Sequence, residues 1–106
     1  TILENLKPLK GMTHLETLAF TTQISSLEGI EQFPSLNFLS VSFSPVKDLS
    51  PVTGAKNLQV IDISNADIKN FEPLFGHSGL TEVHCTEEQK EEIMKIDSSP
   101  DFEIYT

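Results

Sequence analysis

The chain has 106 residues, enough for one domain with a limited hydrophobic core. Its formal net charge is −9, with seven lysines and no arginine, so no basic stripe can neutralise phosphates and nucleic acid is not an expected partner. The 38% apolar residues include no run long enough for a membrane span, and a single cysteine rules out an internal disulfide framework.

In chain order, Leu3, Leu6, Leu9, Met12 and Leu15 recur at steps of three, which suits a tight, nearly 3₁₀ path with these side chains pointing inward. Leu18-x-Phe20 then takes the step of two that marks a strand. Ile24, Leu27, Ile30 and Phe33 return to steps of three, up to Leu36. The next stretch repeats the pattern at Leu36, Leu39, Val41, Val46, Leu49, Val52, Ala55 and Leu58. A further copy reads Leu58, Ile61, Ile63, Ile68, Phe71, Leu74, His77 and Leu80; its one polar slot, His77, falls where the other copies have Met12, Phe33 and Ala55, and a half-buried histidine is expected there. Val83 and Cys85 begin another. The pattern predicts strands near 17–20, 38–41, 59–63 and 82–85, with irregular returns at 50–56 and 72–79.

After Cys85 the repetition stops. Thr86-Glu87-Glu88-Gln89 has the form of a capping box and opens a helix predicted over 87–96, with Ile93 and Ile96 on its inner side. Glu87 and Glu88 in the first turn and Lys95 in the last suit the helix dipole. Asp97-Ser98-Ser99-Pro100 ends it, and 102–105 alternates as a last strand. A strand–helix–strand unit returns parallel to its first strand by a right-handed crossover, so 102–105 is expected beside 82–85.

The copies are 22 residues long, except that 15–35 is one shorter. A fixed period in this range with an L-x-x-L-x-L core resembles the leucine-rich repeat. Its length and punctuation look like the bacterial internalin-type subclass, shared with a regulatory subunit of a serine/threonine phosphatase. The resemblance covers roughly 3–85 and extends to the tail, since such proteins often end in a helix and short strand. It implies an α/β fold: a short right-handed solenoid with a parallel sheet on its concave face, 3₁₀ or irregular convex returns, and a C-terminal helix–strand cap. The parts would be a half repeat 1–14, repeats 15–35, 36–57 and 58–79, and a cap 80–106. Proline often opens the return in this subclass, and Pro8, Pro51 and Pro73 hold that slot here, with Gly29 in the fourth copy. The family's usual asparagine at the strand end is replaced by Ser44 and Ala66, and by Thr22 or Gln23 across the deletion, which implies looser bends.

Strand alternation sends Leu18/Phe20, Leu39/Val41, Ile61/Ile63 and Val83/Cys85 to the core. The outward set forms three columns: Thr17, Phe38, Val60 and Glu82; Ala19, Ser40, Asp62 and His84; Thr21, Ser42, Ser64 and Thr86. Side chains free of core duty on a rigid sheet face are where a repeat protein binds. Phe38 beside Val60 is either an interface anchor or a solitary exposed aromatic, and Phe43 either enlarges that spot or tucks into the bend. Asp62 and His84 are expected neighbours able to pair, and Ser40 or Ser64 would complete the residue types of a catalytic triad. On a flat face nothing would enclose a substrate or form an oxyanion hole, so no enzyme is expected. Cys85 reads as a buried thiol. Its spacing to His77 or His84 matches no standard metal site, and no cofactor is expected.

The function expected is therefore a non-enzymatic protein-binding module. Its candidate contacts are Phe38, Ser40, Val60, Asp62, Ser64, Glu82 and His84. The alternative is a structural spacer or capping portion of a larger bacterial surface or secreted repeat protein. No N-terminal cap is evident over Leu3, Leu6 and Leu9, which implies an upstream segment or self-association at that edge. No signal-peptide pattern opens the sequence, which favours the cytoplasm unless an upstream signal has been removed.

Overall fold

Each repeat supplies only two or three residues of strict alternation, and the strands are correspondingly short. The computed structural model describes residues 2–9, 11–19, 23–77 and 79–106. Seven strands are present among them: β1 (Ile2–Leu3), β2 (Thr17–Ala19), β3 (Gln23–Ile24), β4 (Phe38–Ser40), β5 (Val60–Asp62), β6 (Glu82–His84) and β7 (Glu103–Tyr105). The fold is α/β. Its centre is a five-stranded, all-parallel sheet in the order β2-β4-β5-β6-β7, while β1 and β3 form a separate parallel pair. The expectations for Phe20, Thr21, Thr22 and the Leu3 side chain fall outside the described residues and side chains.

The register is uniform across the sheet. Leu18, Leu39, Ile61, Val83 and Ile104 form one cross-strand row. The three interior members are fully buried, whereas Leu18 and Ile104, on the edge strands, are partly buried. The predicted parallel return of the last strand is present as the β6–β7 pair.

Behind the sheet, each repeat folds into a compact turn. Lys7–Leu9, Ile30–Gln32 and Ser50–Gly54 are 3₁₀, and α1 (Glu72–Phe75) is a single α-turn. The apolar steps of three bury Ile30, Leu49, Val52, Phe71 and Leu74 in the same core as the strand residues. A short polar side chain opens each turn by accepting the N–H two residues on. Asn5 serves Lys7 (2.9 Å), Ser26 serves Glu28 (3.1 Å), Asp48 serves Ser50 (2.9 Å) and Asn70 serves Glu72 (3.1 Å). At Asp48 the Ser50 N–H and then the Ser50 hydroxyl hold the carboxyl below the usual carboxylate range.

The helix α2 (Glu87–Ile96) starts at the predicted capping box. The Thr86 hydroxyl accepts from Gln89 N–H (3.2 Å), and Gln89 Oε1 accepts from Thr86 N–H (2.9 Å). Ile93 is buried, but Ile96 is 43% exposed, correcting the expectation that both face inward. It is the last residue of the helix, and the chain leaves at Asp97 in an extended conformation. Beyond it, Phe102 is buried and packs on Phe75, with ring centroids 5.3 Å apart.

Three other expectations change. Met12, assigned to the column of Phe33, Ala55 and His77, is 49% exposed. It lies before the first strand of the five-stranded sheet, on its outermost side. His77 is buried, not merely half-buried: Nε2 donates to the Ala55 carbonyl, and Nδ1 accepts from Gly79 N–H at 3.1 Å. The missing asparagine column is compensated by other groups. Ser44 is buried, and its hydroxyl accepts from Ile24 N–H (3.2 Å), one repeat back. Gln89 Nε2 donates to the carbonyls of Ile63 (2.8 Å) and Ala66 (3.3 Å).

Gly29 has φ +100°, and an added Cβ would lie 3.0 Å from Lys7 N and 3.2 Å from Leu6 C. Gly11 has φ +97° with nothing within 4 Å of its Cβ position. Urea unfolding should therefore show Gly29→Ala losing about 2 kcal/mol or more, and Gly11→Ala only about 1 kcal/mol, the backbone share alone. Equal losses would mean that the approach of 6–7 to Gly29 carries no weight.

Candidate functional site

Alternation along β4, β5 and β6 buries the middle residue and leaves its two neighbours half-buried on the other side of the sheet. Pairing aligns those neighbours into two rows. One runs Thr17, Phe38, Val60, Glu82 and Glu103; the other runs Ala19, Ser40, Asp62, His84 and Tyr105. Six of the seven candidate contacts, Phe38, Ser40, Val60, Asp62, Glu82 and His84, stand together in these rows. Ser64 lies two residues beyond Asp62, half-buried, and its N–H donates to Asp62 Oδ1 at 3.0 Å.

Tyr105 and Glu103 complete the two rows and were not among the sequence candidates. The signal was available: each lies 21 residues after its row partner, His84 or Glu82, in a segment already read as a parallel strand. Tyr105 is 43% exposed. Its ring stacks on His84, with centroids 5.0 Å apart and planes 19° from parallel. Its hydroxyl donates to Glu103 Oε2 at 2.6 Å, and this bond and the Glu103 charge hold the phenol above its usual range.

His84 Nε2 lies 3.4 Å from Glu82 Oε1 and thus partners Glu82 and Tyr105 instead of the expected Asp62. The reason is local. Asp62 turns to the N–H of Ser64, closing its own strand end, while Glu82 sits on the same strand and the same face as His84. Thr86, placed in the third outward column, is committed to the start of α2. Phe43 is 67% exposed at φ +62°, so it does not tuck into the bend. Asn65, one repeat later, has φ +61°, so both turns require a left-handed residue. Asparagine suits it, and phenylalanine adopts it at a cost of about 1–2 kcal/mol.

The face is graded. Phe38 and Val60 make an apolar centre on adjacent strands, flanked by Ser40 and Ser64. Toward β7 it becomes aromatic and acidic, with His84, Tyr105, Glu82, Glu103 and Asp62, and neither row holds a lysine. Among the described residues, no three of His, Cys, Asp and Glu are grouped to hold a metal ion. No helix among them is long and apolar enough to cross a membrane.

Cys85 follows β6 and is buried beneath the sheet. Burial pushes its thiol up to about 11; Lys90 opposes the shift, and Glu87 and Asp62 add to it. A thiol reagent at pH 8 should label the native chain at least about a hundredfold more slowly than the urea-unfolded chain. Because the unfolded thiol ionises first, near pH 8.5, the native state holds more protons above that point. The stability advantage of wild type over Cys85→Ala should therefore shrink between about pH 8.5 and 11, as read from urea midpoints. A constant difference across that window would contradict the buried placement. No protein-family model matches the sequence, and no curated protein matches it.

Proposed function

We propose that the chain is a short leucine-rich-repeat solenoid of the internalin-like kind, and that it binds another protein along the outward face of its parallel sheet. Its mechanism is shape and surface complementarity without chemistry. The observation that carries this reading is the pair of aligned rows, in which Phe38 and Val60 stand side by side on adjacent strands with polar neighbours around them. The 22-residue offset between paired strands, together with a turn behind each strand, supports the repeat architecture.

Five strands at the usual 4.8 Å spacing, each about three residues long, present a patch of roughly 20 by 10 Å. That is well below the roughly 800 Å² a side of a standard stable interface, so the domain by itself is a weak binder. A second reading, a spacer or capping portion of a longer array, is supported by the β2 side. Leu15 and Leu18 are incompletely buried there and Met12 is exposed, as they would be where a neighbouring repeat stacks.

The two readings separate on Phe38. It is half-buried on the outward face, whereas Leu39 beside it is fully buried. Phe38→Ala should keep the fold, with a stability loss of about 1 kcal/mol, and should retain less of any protein captured from the native organism than wild type does. Leu39→Ala should cost about 3 kcal/mol. If Phe38→Ala unfolds the chain, the inside–outside assignment is wrong; if it captures the same proteins undiminished, the spacer reading gains.

A further inference from the structure

We propose, resting on the face-binding reading above, that the partner is a cationic protein segment, with an apolar side chain seated on Phe38 and Val60 and a lysine or arginine seated between Glu82, Glu103 and the Tyr105 ring. Among the described residues, no lysine forms an ion pair with the carboxylates of this face: the lysines that form ion pairs do so with Glu28, Asp67 and Glu92, none of which is in the two rows. Among the described residues, the row carboxylates meet weaker partners: Glu82 meets the His84 ring at 3.4 Å, Glu103 accepts the Tyr105 hydroxyl, and Asp62 accepts a backbone N–H. Glu82 and Glu103 are register partners on adjacent strands, so one guanidinium or ammonium reaches both.

Tyr105 adds a second attraction of the same sign. Its ring is exposed and held flat against His84, and an aromatic face fixed in place attracts a cation. The apolar and acidic parts of the face lie about two strands apart, or about 10 Å. An extended chain rises about 3.3 Å per residue, so the two anchors of the partner should stand about two to four positions apart in its sequence. An acidic partner would set its carboxylates against three of the same charge and gain nothing from the tyrosine.

The test is selection of a random displayed peptide library against the full chain. The selected peptides should pair an aliphatic or aromatic residue with lysine or arginine at that separation. Individual peptides should bind Glu82→Gln about threefold, and the Glu82→Gln/Glu103→Gln double variant about tenfold, more weakly than wild type, with melting temperatures unchanged. The affinity lost on raising the salt should also be smaller for the double variant. Peptides that need Phe38 but show no excess of lysine or arginine, or that bind the glutamine variants as well as wild type, overturn the cation proposal and leave face binding standing. Peptides that bind Phe38→Ala undiminished, or a selection that enriches nothing, overturn both.

Discussion

Backbone carbonyls one repeat apart hold this molecule in register. The Glu16 carbonyl accepts from Asn37 and Phe38, that of Asn37 from Gln59 and Val60, that of Gln59 from Thr81 and Glu82, and that of Thr81 from Glu103. At the other strand end, Asp62, His84 and Tyr105 accept from Val41, Ile63 and Cys85, each at 2.9 Å. With side chains alternating at a period of two, a slip of one residue would bring Phe38, Val60 and Glu82 inward and turn Leu39, Ile61 and Val83 out. Burying the Glu82 carboxylate and exposing three aliphatic side chains would be costly enough to exclude that alternative. The same register that builds the core therefore builds the outward face.

Strands of three residues cannot maintain that spacing alone, and the turns behind them share the task. Each begins with a side chain folded onto the backbone two residues ahead. The turn at 50–54 contacts those at 30–32 and 72–75, and at Gly29 a Cβ would lie only 3.0 Å from Lys7 N. At the far end, the α2 capping residue Gln89 has two roles. Its Oε1 closes the helix start, while its Nε2 ties that helix to the carbonyls of Ile63 and Ala66. One residue thus joins the helix to the last turn of the repeats.

Much of this was legible in the spacing of apolar residues, because burial in a short period leaves few places for a leucine to be. The strand positions, the row Leu18–Leu39–Ile61–Val83, the capping box and the parallel return of 103–105 follow from it. Polar devices were less legible. Asn5, Ser26, Asp48 and Asn70 form a column at steps of 21 and 22 residues that the apolar pattern passes over, since their role is local hydrogen bonding. Periodicity also says nothing of an element's ends, which is why Met12 and Ile96 carry the right spacing and yet are exposed. At the site, position followed from alternation, but pairing did not. His84 faces Glu82 and Tyr105 because side-chain length and the neighbouring edge strand decide it, and Tyr105 enters only once β7 is seen to extend the rows.

The account of function depends on which residues face out, and that depends on the interior row. Methyl–methyl nuclear Overhauser contacts in the selectively labelled chain test it most directly. The account predicts an unbroken series from Leu18 through Leu39 and Ile61 to Val83 and Ile104, with the Val60 methyls seeing the Phe38 ring and no member of that series in the neighbouring strands. Contacts that place Val60 within the series, or that leave Leu39, Ile61 and Val83 apart from one another, would contradict both the register and the face built on it.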